Sequence, residues 1–342
     1  MRDILPQGAA TEADQAALRE EVIAYRPVQL SFKKQKKTGT WGDGILELGV
    51  LRGPGSTGVG TVSQYRYLAD LGVPVDHRAC KLAERVFFRL LSRDEDPALL
   101  FEYAKLAKGN PEMAIWSRVM MRQGAAVALA HAGHAEDPRV RGAAHRVASE
   151  ISQFLRSELA EKPFVRKGSR TMLHPQAIPP TTLAVATIAY MPGLQRERAG
   201  FVERLCAFLA RSVSKRPYVI QLGKRIVKPT FQLLGDPLAH DSAGRPKDLP
   251  LDLHWIELLV RLGQLHSSSS AQRILGRLLS ECDDRGVWNP SNLRSLPKSP
   301  SRLAEFSFPL ESDPKTPEAR KADLTFRLAL ISKLAGWTLE YT

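Results

Sequence analysis

Five segments of the chain end alike, and this repetition limits the fold more than any other feature. They are SQYRYLADLG72, GAAVALAHAG133, AVATIAYMPG193, WIELLVRLG263 and LALISKLAG336, with glycines 61, 60, 70 and 73 residues apart. Each glycine follows an apolar stretch with helical spacing, such as Leu253, Ile256, Leu259 and Val260 before Gly263. A glycine just past a helical run is a C-cap, because it takes a positive φ without a steric penalty.

After each of the first four glycines come a short polar linker and a second amphipathic run. These runs are HRACKLAERVFFRLLSR, DPRVRGAAHRVASEISQFLR, RERAGFVERLCAFLARS and AQRILGRLLSECDD. In the second run Asp137 is the expected N-cap, with Pro138 at the first helical position. In the first run Leu82, Val86 and Leu90 share one face, with Arg85 and Arg89 opposite. The unit is therefore helix, glycine turn, helix, then a longer connection. Such units bury their apolar faces only by stacking.

The pattern predicts helices near 12–25, 59–71, 78–92, 97–107, 113–132, 137–160, 180–190, 196–213, 251–263, 270–283 and 320–338. Two regions depart from it. Tyr218 to Val227 reads as a short β-hairpin near 218–228, with Gly223 first in the turn. Residues 289–319 hold six prolines and read as an extended segment. The expected organisation is an N-terminal helix and basic linker over 1–44, then one repeat domain over 45–342.

Composition narrows the class. Hydrophobic residues make up 43% and charged residues 25%, which fits a packed globular chain. The first thirty residues lack an apolar core of the secretory kind, and no stretch reaches the length of a membrane span. Cys80, Cys206 and Cys282 are odd in number and far apart, which is no disulfide framework. A cytoplasmic setting is the expectation.

The fourth unit carries a family resemblance. ILGRLLSECDDRGVWNP, residues 274–290, resembles the QW-type repeat of terpenoid cyclases and the matching repeat of protein prenyltransferase β subunits. Leu278 and Leu279 take the apolar places, Asp284-Arg285-Gly286 the turn and Trp288 the tryptophan place. Cys282 stands where that family often has glutamine. The resemblance implies an all-α fold, an α/α toroid of stacked helix pairs over about 45–340. The glycine spacing is too wide for a HEAT-like solenoid, whose period is about 40–47 residues.

The chemistry implied by the resemblance has few candidates. Glu281-Cys282-Asp283-Asp284 matches the D-x-D-D acid motif only superficially, since it falls at a helix end, and is read as a solvated turn. The magnesium-binding D-D-x-x-D motif is absent. A zinc site would have to use Cys282, Asp283 and His254, but adjacent ligands at a helix end point apart, so no metal and no cofactor are expected. Gly53 to Thr61 has the glycine spacing of a phosphate loop but Thr61 in the lysine place, leaving at most an anion seat at a helix N-terminus. Acidic Asp94-Glu95-Asp96 before Pro97 reads as a helix cap. No hydrolase triad is visible.

Two functions follow as expectations. In a toroid the inner helices would enclose a cavity for an apolar, isoprenoid-like ligand, touched by His254, Trp255, Glu257 and Trp288, with Trp337 in the same half. Whether such a cavity keeps a reaction is left open. The alternative is a non-enzymatic module that binds an acidic partner, nucleic acid or protein. The net charge is +13, and between Arg204 and Gly235 there are seven Lys or Arg and no Asp or Glu. Its candidate contacts are Arg211, Lys215, Arg216, Lys224, Arg225 and Lys228. Further basic clusters lie at Lys162, Arg166, Lys167 and Arg170, and at Lys33, Lys34, Lys36 and Lys37.

Overall fold

The structure is a computed structural model that describes residues 12–42, 44–46, 60–93, 108–212, 217–229, 231–291, 294–295, 299, 310 and 316–337. The helices are α1 (Glu12–Ala24), α2 (Arg26–Lys34), α3 (Thr61–Asp70), α4 (Arg78–Ser92), α5 (Pro111–His131) and α6 (Pro138–Leu155). They continue with α7 (Thr182–Ala189), α8 (Pro192–Glu197), α9 (Ala199–Leu209), α10 (Leu249–Arg261), α11 (Ser269–Leu279) and α12 (Pro317–Leu334). The strands are β1 (Phe164–Lys167), β2 (Arg170–Leu173), β3 (Ile220–Leu222) and β4 (Arg225–Val227). The protein is mostly helical, as the repeat predicts.

Four of the five repeat glycines end their helices in one and the same way. Gly72, Gly133, Gly263 and Gly336 all have positive φ, between 67° and 98°. At each, the glycine N–H donates to the carbonyl three residues back and the next N–H to the carbonyl five back. Gly263 to Val260 at 2.9 Å and Gln264 to Leu259 at 2.8 Å are one example. This is the Schellman motif, which satisfies the orphan carbonyls of a helix end. The second helix then starts on a side-chain cap: His77 accepts from the Ala79 N–H, Asp137 from Arg139 and Ser268 from Ala271.

Gly193 is the exception and corrects the repeat. It does not have positive φ, and it lies inside α8, whose first residue is Pro192. Proline disfavours helical geometry in the residue before it, so α7 ends at Ala189 and a new helix begins. The expected helix at 196–213 is likewise split at Arg198, and 137–160 stops at Leu155 before a short 3-10 turn at Glu158–Ala160. Helix α2 was not expected; Pro27 is its second residue, in the first turn, where proline is tolerated. The expected helix at 97–107, most of the loop at 53–61 and most of the segment at 289–319 lie outside the described residues.

The chain forms two compact units. The first consists of Met1–Lys33, Tyr67–Pro74 and Pro237–Thr342, and the second of Lys34–Arg66 and Val75–Asp236. In the second unit, α5 packs against α4, α6 and α7. All eight residues of α7 are buried. Gly124 of α5 is needed there: a Cβ would stand 2.7 Å from the Leu46 side chain. In the first unit, α10 packs on α11 and α12 and is buried from Leu249 to Val260.

Two β-hairpins complete the second unit, one more than expected. β1 pairs with β2 and β3 with β4, both antiparallel and both closed by two-residue loops, Gly168-Ser169 and Gly223-Lys224. Each loop opens on a glycine with positive φ, 62° and 57°, as a tight hairpin turn requires.

Candidate functional site

The QW-like turn places two candidates first. Helix α11 ends at Leu279, four residues earlier than expected. Asp283 then holds the turn together: its Oδ1 accepts from the Arg285 and Val287 N–H groups at 3.1 and 2.9 Å. Gly286 takes a φ of 73° and Trp288 returns against Cys282. The buried Trp288 indole donates to Glu281 Oε2 at 3.0 Å, and Glu281 Oε1 receives Arg277. Asp284 is exposed. The acidic run is thus turn and tryptophan latch. Cys282 Sγ–H points to the Leu278 carbonyl at 3.7 Å, and among the described residues no three His, Cys, Asp or Glu side chains are placed to hold a metal ion.

His254, Trp255 and Glu257 sit together on α10, each at most 3% exposed. Glu257 is the centre of an ion network in the first unit. Its Oε1 receives Arg261 Nε at 2.9 Å and its Oε2 lies 3.6 Å from Arg327 Nη1 on α12. The other arm of Arg327 reaches Asp70 of α3 at 3.1 Å. Burial alone would raise the Glu257 pKa, but Arg261 and Arg327 outweigh it and hold the group at about 2. Burial would lower the Arg327 pKa, yet Asp70, Glu257 and Asp323 raise it. These are charges locked in matched pairs. Trp337, by contrast, is 46% exposed beside the Gly336 cap.

A second buried carboxylate, Glu84 on α4, is saturated in the same way. Tyr65 donates its hydroxyl to Oε1 at 2.9 Å, His134 Nε2 lies 3.1 Å from the same oxygen, and Lys81 donates to Oε2 at 2.9 Å. Burial pushes its pKa up, and the bonds from His134, Lys81 and Tyr65 bring it below the usual range. Burial, with Glu84 adding to it, pushes the neighbouring Cys80 thiol up to about 12, and burial pushes Cys206 to about 12. Both thiols are therefore protonated at neutral pH, and neither suits a nucleophile. A cleft lined by Glu136, Arg141, His145, Leu194 and Glu197 holds about 10 Å³. That is room for about one water molecule, and Arg141 and His145 already bridge to Glu197.

The anion seat expected at the start of α3 is taken by the chain itself. The Thr61 and Val62 N–H groups donate to the Gly44 and Ile45 carbonyls at 3.1 and 2.9 Å, and the Thr61 hydroxyl lies between Trp41 and Gly44.

The hairpins are different. Two basic clusters about fifty residues apart in sequence are brought side by side, with cations on both faces of the hairpins, since consecutive Arg166 and Lys167 point opposite ways. Val219, just ahead of β3, joins β2: its carbonyl accepts from Leu173 at 2.9 Å and its N–H donates to Thr171 at 3.1 Å. The hairpins are two separate two-stranded sheets, β1-β2 and β3-β4, linked by this bridge between Met172 and Val219. Arg166, Lys167, Arg170, Lys224, Arg225 and Lys228 are all exposed on this platform. No Asp or Glu occurs within 162–174 or 217–229. Lys167 and Arg170 face each other across the first hairpin, a like-charge pair that weakens a sheet. Lys167 also reaches Gln221 of the other hairpin at 3.4 Å. A carboxylate does approach the second hairpin: Glu112 Oε2 of α5 would stand 2.8 Å from a Cβ on Gly223.

Of the residues expected to contact an anion, Lys224, Arg225 and Lys228 are on this platform. Arg211 is instead ion-paired with Glu161 at 2.6 Å, and Lys215 and Arg216 lie outside the described residues. Arg166, Lys167 and Arg170 were visible in the sequence as a cluster but not as part of this site. The signal that would have joined them is a shared hairpin form, Lys167-Gly-Ser-Arg-Thr beside Leu222-Gly-Lys-Arg-Ile. Lys33, Lys34, Lys36 and Lys37 are exposed around the end of α2. Among the described residues no helix is long and apolar enough to cross a membrane. No protein-family model, no curated protein and no solved structure matches this chain.

Proposed function

We propose that the chain is a binding module for an acidic partner, and that the double hairpin is its contact surface. The observation that carries this reading is the union of two carboxylate-free basic segments into one exposed platform. Buried carboxylates are matched by cations, Glu257 by Arg327 and Arg261 and Glu84 by Lys81. On the platform the cations face solvent, and their field favours an anion. The helix pairs serve as the scaffold that holds the two hairpins in register. Asn110, the N-cap of α5, does so directly by donating to the Leu222 carbonyl at 3.1 Å.

The competing reading is a closed α/α toroid with an apolar ligand in its centre. It would use His254, Trp255, Glu257 and Trp288, and these side chains are enclosed in packed and ion-paired surroundings. No observation favours it over the platform. The test is elution from immobilised heparin, a generic polyanion. The wild-type chain should be retained, and Arg166→Gln/Arg170→Gln/Lys224→Gln/Arg225→Gln should elute at much lower salt. Equal retention of the two proteins would reject the platform as the contact.

A further inference from the structure

We infer that the partner on this platform is a nucleic-acid duplex, held through its phosphates without regard to base sequence. The inference rests on the reading of the double hairpin as a polyanion site and names the polyanion.

Three observations favour a duplex over an acidic protein or a single strand. The first is the make-up of the surface. Three lysines and three arginines stand exposed, and the one large apolar side chain exposed on either hairpin is Ile226. Protein–protein contacts are depleted of lysine and enriched in aromatic residues, Met and Arg, whereas nucleic-acid contacts are strongly basic in both Lys and Arg. The second is the state of the aromatics. Phe164 and Tyr218 are the aromatic residues of the platform, and they are half-buried against each other, with ring centroids 5.1 Å apart. Single-strand binders hold free aromatic faces on which bases stack, and here those faces are used internally. The third is the arrangement of charge. Lys167 and Arg170 repel each other across one hairpin, and Arg225 opens the return strand of the other as Arg170 does in the first. A row of phosphates relieves this repulsion, because bound cations release the counterions condensed on the duplex. Contacts to phosphates carry no sequence information, so affinity of this kind is indifferent to sequence.

The experiment measures anisotropy of labelled probes with the full chain at low salt. The probes are a short DNA duplex, an RNA duplex, single-stranded DNA and poly-glutamate. We expect one or both duplexes to bind about tenfold or more tightly than poly-glutamate or the single strand, with little change when the duplex sequence is scrambled, since phosphate contacts carry no sequence information. Arg170→Gln/Lys224→Gln should weaken duplex binding, and Glu112→Gln, which removes a carboxylate beside Gly223, should strengthen it. The paired cation Arg141 supplies the control: Arg141→Gln should leave it unchanged. Stronger binding to poly-glutamate or to the single strand overturns the inference while leaving an acidic partner in place. Heparin retention without any duplex binding does the same. Loss of both overturns the inference together with the reading it rests on.

Discussion

The ion network on α10 and the double hairpin use the same side-chain chemistry in opposite ways. Around Glu257 the charges are buried and matched: Arg261, Arg327 and Asp70 are at most 15% exposed and each lies within 4 Å of an opposite charge. On the hairpins the cations are exposed, two of them face each other, and the strands hold no carboxylate. Buried charge left unmatched would be too costly for the fold. Exposed charge costs little to keep, and these carboxylate-free strands concentrate positive charge at the surface. The first set is matched structural charge, and the second is the surface proposed for recognition.

The sharpest way to break the comparison is at Arg327. Arg327→Met leaves Glu257 and Asp70 without their shared cation, and should destabilise the protein by about 3–5 kcal/mol, read as a shift of the urea midpoint. A loss under about 1 kcal/mol would mean that the network carries little of the fold. The network also sets an acid limit. The Glu257 pKa is depressed, so the stability this pairing adds is complete above the ordinary glutamate range, about 4.3. It is lost as pH falls toward about 2. Glu257→Gln should remove that acid dependence, which stability curves between those pH values would show.

A smaller effect is expected at the shared helix ends. Gly263 has a φ of 67°, and Gly263→Ala should cost about 1–2 kcal/mol. Gly193→Ala, at the position that departs from the repeat, should cost nothing measurable or stabilise slightly, because Gly193 is within α8. Equal effects at the two sites would show that the glycine turns are not what defines the repeat.

The repeat itself was therefore legible, and so was its function as a helix stop at Gly72, Gly133, Gly263 and Gly336. The local rule is strong there because few residues accept that backbone. Asp137 and Pro138 were legible as a side-chain cap and first helical residue, and the hairpin at 218–228 by its turn glycine. The failures share a cause too. Gly193 shares the pattern, but Pro192 before it changes its meaning. The hairpin at 164–173 was hidden because it follows the expected helix at 137–160 directly and its basic residues break the apolar alternation of a strand. The joining of the two hairpins through Val219 is a long-range backbone contact, with no local signal. For the same reason His254, Trp255 and Glu257 gave no sign that Arg327 and Asp70 would close over them.

The smallest effect on stability is expected at the hairpins. Arg170→Gln/Lys224→Gln should change the unfolding free energy by less than about 0.5 kcal/mol, since both side chains are exposed. This contrast with Arg327→Met is the comparison in its plainest form. One substitution should cost the fold and the other only the partner.

The most direct measurement of the central claim is the salt dependence of duplex binding. Plotted as log affinity against log salt, the wild-type slope should approach −5 if all six platform cations meet phosphates, at about −0.9 for each. The variant Arg166→Gln/Arg170→Gln/Lys224→Gln/Arg225→Gln, checked to be folded by its unfolding curve, should flatten that slope by about 3–4. An unchanged slope in the folded variant would contradict the account, because the contact would then lie away from the hairpins.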